Sequence, residues 1–88
     1  MTNIDKEIKH RSRRGLLELD LFLSGFINKD VLVMGMDDKK RLLEFLMIDD
    51  MTMLDILQKK TNPLAAHKKI VLKIESFNAN ALQQSRKR

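Results

Sequence analysis

"MDDKKRLLEFLMIDDMTMLDIL", Met36 to Leu57, decides the fold class. Apolar residues recur in it at helical spacing, and the Asp49–Asp50 pair divides it into two runs. Asp37 or Asp38 is placed to cap the first run, and the acidic pair complements the positive end of a helix. Leu42, Leu43, Phe45, Leu46 and Met47 give that helix a buried face. Asp49 and Asp50 stop it and open the next, whose apolar side is Met53, Leu54, Ile56 and Leu57. Lys59 and Lys60 suit the negative end of this second helix.

The same period extends outward. Downstream, "TNP" breaks the chain because Pro63 disfavours helical geometry at Asn62. A last helix then runs from near Leu64 to Phe77 or Asn78, with Ile70, Val71, Ile74 and Phe77 as its stripe. Upstream, "NKDVLVMGM" reads as a connecting loop packed on the core, since Gly35 breaks a helix and a lone strand would have no partner. Before it, a helix covers Leu16 to Asn28, and Asp5 caps a first short helix from Lys6 to Arg13. The expectation is an all-α, compact bundle of five short helices: one domain over residues 1–78, then a basic, disordered tail over 79–88.

Composition narrows the function classes. The 88 residues include 17 Lys and Arg against 12 Asp and Glu, a net charge of +5, much of it at the two ends. So short a chain buries only about 60–65% of its unfolded surface. Cysteine is absent, so no disulfide or thiolate metal site can form, which fits a reducing cytosol. Apolar runs reach about five residues, against the roughly 20 a membrane span needs. The N-terminus has no apolar core of a signal peptide and reads as the start of a cytosolic protein. Basic ends admit a nucleic-acid-binding reading, with Arg86, Lys87 and Arg88 contributing; solubility accounts for them more simply.

Catalytic constellations are lacking. His10 and His67 stand far apart, so no metal site is expected, and His67 is expected at the surface or half-buried. The serines have no nucleophile-elbow context, and helix capping accounts for both Asp-Asp pairs. Gly15, Gly25 and Gly35 are too widely spaced to cradle a phosphate. Met47, Met51 and Met53 read as core filler, whereas Met34 and Met36 are better candidates for an exposed patch.

"RRGLLELDLFLSGF", Arg13 to Phe26, holds the candidate binding site. On a wheel of about 100° per residue, Leu16, Leu19, Leu23, Phe26 and Ile27 share the core side. Arg14, Glu18 and Gly25 share the other, flanked by Leu17 and Leu21. On a continuous helix Arg14 and Glu18 form an i,i+4 ion pair. Gly15 removes side-chain bulk between the two charges and lets another backbone approach. Arg14, Gly15, Leu17, Glu18, Asp20 and Leu21 are therefore expected to meet a protein partner.

This stretch resembles the Arg-Gly-x-x-Glu signature of the small flavinylation factors of succinate dehydrogenase, the SdhE family. The likeness continues through the Asp-Asp junction, the "NP" break and the closing helix, from about Lys9 to Ile74. Leu54 and Ile56 stand where the family commonly has aromatic residues, which implies a repacked core. Membership would imply a five-helix cytoplasmic bacterial assembly factor without an active site or cofactor of its own. Its partner would be the flavoprotein subunit of succinate dehydrogenase, with fumarate reductase as a second client, and FAD would become covalently attached to a histidine of that partner. Arg14, Gly15 and Glu18 would be the docking positions, with Asp20 and Asp49–Asp50 also matching the pattern.

Overall fold

The structure, a computed structural model, describes the backbone of residues 3–86 and the side chains of residues 3–80. Five α-helices follow in order: α1 (Asn3–Ser12), α2 (Leu17–Lys29), α3 (Met36–Phe45), α4 (Asp50–Leu57) and α5 (Lys68–Arg86). Two 3-10 turns, Val31–Val33 and Ala65–His67, serve as connections, and no strand is present among the described residues. The bundle is all-α, as the periodicity predicts.

Apolar stripes from all five helices meet in one core. Ile8 of α1, Leu19, Leu23 and Phe26 of α2, Leu42 and Phe45 of α3, Met53 of α4, and Ile70 and Ile74 of α5 are fully buried. Each large side chain removed from water contributes about 1.5–3 kcal/mol, the main force against the chain entropy of ordering the helices. Leu54 and Ile56 are buried too, so aliphatic side chains fill that part of the core. α2 and α5 come close together at Gly25, where an added Cβ would lie 2.8 Å from Phe77 Cε1. Phe77 also packs edge-on against Phe26, with ring centroids 6.0 Å apart. Gly25 thus faces α5 and does not share the open face with Glu18.

Several local expectations give way to tertiary contacts. Asp5 does not cap α1; it lies within the first turn, nearly buried, and accepts the Lys39 ammonium of α3 at 2.7 Å. Gly35 takes the N-cap position of α3, so Asp37 and Asp38 fall in its first turn instead. Asp49 is a true cap: its carboxylate accepts the Thr52 backbone N–H at 3.0 Å. His67 is buried, edge-on to Phe45 at 5.6 Å, because the 3-10 turn after Pro63 folds back onto α3. Met53 is core, but Met47 and Met51 are exposed, since the α3–α4 junction turns both outward. Met36 is exposed and Met34 packs partly on the core. The α5 backbone stays helical to Arg86, 19 residues in all, past the expected end at Phe77 or Asn78. Lys87 and Arg88 of the expected basic tail lie outside the described residues.

Candidate docking face around Gly15

The α1–α2 connection places the candidate residues. The chain leaves α1 after Ser12, turns through residues 13–16 and enters α2 at Leu17. Arg14 is therefore outside α2, and the expected ion pair with Glu18 does not form. The Arg14 Nε donates to Asp50 Oδ1 at 2.5 Å. Its Nη1 donates to the carbonyls of Arg11 at 2.9 Å and Leu46 at 2.6 Å, and its Nη2 donates to the Ile48 carbonyl.

The acceptors explain the choice of arginine. The last carbonyls of a helix have no intrahelical donor and carry partial negative charge. Arg11 lies in the last turn of α1, and Leu46 follows the last turn of α3. Asp50 opens α4. One guanidinium, with its planar fork of donors, so joins three helix ends. Its side chain is only 13% exposed. Arg14 is an internal clamp holding the turn that follows it.

Gly15 sits on that clamp with φ +71, the left-handed region where a Cβ is unfavourable. Nothing lies within 4 Å of where its Cβ would stand. The glycine is required by backbone conformation, and the space above it is open. Leu17 and Leu21 are 70% and 72% exposed, and Glu18 beside them is exposed with no ion-pair partner among the described residues. These three share about 100° of the α2 surface. Asp20 is half-buried and points around the helix into a groove with Lys9, Arg13 and Gly15.

The profile of a family described as "Flavinator of succinate dehydrogenase" matches residues 6–78. The chain belongs to this flavinator family. It is 34% identical over 86 residues to the FAD assembly factor SdhE of Francisella tularensis, covering 93% of this chain and 90% of that protein. No solved structure matches it.

In this flavinator-family chain the Arg-Gly-x-x-Glu residues separate into two layers. Arg14 lies beneath, bonded to the chain's own carbonyls; Gly15 and Glu18 lie on top, facing solvent. Local sequence reasoning missed Asp50 as the partner of Arg14. The available signal was a surplus: one aspartate suffices to cap α4, and Asp49 does so. Hydrogen bonds from Thr52 hold the Asp49 carboxyl below its ordinary value of 3.8, and the charge of Arg14 acts in the same direction. Among the described residues, no cluster of three or more carboxylates and imidazoles is placed to hold a metal ion, and no helix is long and apolar enough to cross a membrane.

Proposed function

We propose that this chain is a cytoplasmic assembly factor that docks on the flavoprotein subunit of succinate dehydrogenase and promotes covalent attachment of FAD to that partner. Fumarate reductase is a second client on this reading. The observation that carries it is the Gly15 turn: clamped from below by Arg14, bare above, and bordered by exposed Leu17, Glu18 and Leu21. Apolar side chains beside an unpaired carboxylate suit a protein interface, and a missing Cβ admits a foreign backbone. The family and its named relative supply the link to flavin.

The factor needs no reacting group of its own. Joining a flavin to a histidine requires the two to be held close in a preorganised electrostatic setting, and the flavoprotein carries both. A helper acts by binding the aligned conformation of its partner more tightly than the others. A tenfold preference corresponds to about 1.4 kcal/mol, well within what a few interface residues supply. Arg14 serves this surface as a positioning residue, and Gly15, Leu17, Glu18 and Leu21 make the contact; Asp20 borders it.

The test is capture of the flavoprotein and its covalent flavin fluorescence in cells carrying Gly15→Arg or Glu18→Ala. Both variants are expected to lower capture and flavinylation while keeping the parent's helical circular dichroism. Full flavinylation with either variant overturns the reading.

A further inference from the structure

Leu17, Glu18 and Leu21 make a small face. A specific interface draws on about 20 residues and about 800 Å² from each partner, so docking at Gly15 requires a larger surface. In one direction that surface ends where Phe77 of α5 closes over Gly25. In the other, across Arg14, lies the α3–α4 junction. Met47 and Met51 stand there, each 62% exposed. Met47 shares a shallow depression with His10, Arg13, Arg14 and Asp50, and Met51 directly follows Asp50.

We propose that the docking surface continues across Arg14 onto Met47 and Met51, and that the segment of the flavoprotein seated there presents an apolar side chain beside a carboxylate. The proposal rests on the reading that the face around Gly15 meets the flavoprotein. Thioether side chains are flexible and polarisable and adapt to an apolar knob at little cost. The opposite wall calls for an anion. Arg11 is neutralised by Glu7 at 2.8 Å and Arg14 by Asp50, but Arg13 is exposed with no ion-pair partner among the described residues. The clamp makes the two halves one surface, because Arg14 binds the junction carbonyls of Leu46 and Ile48 on either side of Met47. Binding on both halves would engage a single rigid body.

The experiment is calorimetric titration of the full-length chain with the purified flavoprotein subunit. The double variant Met47→Glu, Met51→Glu is expected to weaken binding at least about thirtyfold, the loss that marks an interface hot spot. Met47→Leu with Met51→Leu is expected to stay within about threefold, since shape and apolarity are kept. Arg13→Glu should weaken binding by a factor that shrinks as salt rises. Leu64→Glu with Leu72→Glu, exposed positions outside this face, should bind like the parent. A probe needing no substitution accompanies these: Met47 and Met51 should oxidise with hydrogen peroxide in the free chain and be protected in the complex, while exposed Met36 stays reactive. Parent-like affinity of the glutamate variant, or unprotected Met47 and Met51 in the complex, overturns the extended surface. If Gly15→Arg still loses binding, the docking face itself stands; if Gly15→Arg binds like the parent, the functional reading falls with it.

Discussion

Two of the charged centres that tie this bundle together are built inversely. At the α1–α2 turn one cation, Arg14, is ringed by acceptors: Asp50 and the carbonyls of Arg11, Leu46 and Ile48. On α3 one anion, Asp38, is ringed by cations: Arg41 at 3.3 Å, Lys69 at 3.3 Å and Lys73 at 3.7 Å. The first keeps its guanidinium largely covered, although Asp50 is 43% exposed, and uses directed bonds to backbone groups with few alternatives. The second consists of flexible side chains near water, with contacts at the long end of the ion-pair range. Partial desolvation raises the Asp38 carboxyl, but the Lys69 hydrogen bond and the charges of Lys69, Lys73 and Arg41 outweigh it and hold the group below 3.8. A count of ion pairs would favour Asp38 as the stronger centre. Burial and backbone partners favour Arg14.

The largest expected effect is therefore at Arg14. Arg14→Ala strands two junction carbonyls and removes the charge partner of Asp50, for a loss of about 2–4 kcal/mol in urea unfolding. A domain of this size has only about 4–13 kcal/mol in total. Arg14→Lys should recover less than half, because an ammonium offers three donors for four acceptors and lacks the guanidinium's fork. A smaller loss for Arg14→Ala than for Asp38→Asn would reverse the comparison.

Gly15 sharpens it next. Gly15→Ala forces a Cβ into the left-handed region for about 1–2 kcal/mol, with no steric clash to add. Gly15→Asn, which tolerates that region better, should lose less. If alanine matched glycine in thermal unfolding, the clamp would not be holding the turn's conformation.

Asp38→Asn should be mildest, about 0.5–1 kcal/mol, with most of the loss gone at about 1 M salt. Its pH signature follows from sign. The folded-state pKa values of Asp38 and Asp49 are both depressed, so their stabilisation is present above the ordinary carboxylate value and is lost as pH falls through the folded value. The melting temperature should drop as pH falls below about 4, and Asp38→Asn should flatten that drop. An identical acid profile in the variant would remove Asp38 from the account.

The helices were readable in the sequence because 3.6-residue periodicity is local: Leu42, Phe45 and Leu46 fall on one face whatever the rest of the chain does. The Asp49 cap was readable for the same reason, its partner Thr52 being three residues away. Helix ends with distant partners were not. Asp5 looked like a cap and found Lys39, and His67 looked superficial and was covered by Phe45. Met47 and Met51 fitted apolar stripes, yet the turn between helices rotated both outward.

The candidate site divides along the same line. Residue order and helical period alone put an arginine, a glycine and a glutamate at the head of an amphipathic helix with Leu17 and Leu21 beside them. Tertiary structure decided which of them faces outward. Arg14 meets Leu46, Ile48 and Asp50, 32 to 36 residues away, and such pairings arise only when three helix ends are packed together. A free guanidinium and a clamped one are the same letter in the sequence; the difference lies in where orphaned carbonyls converge, and packing alone sets that.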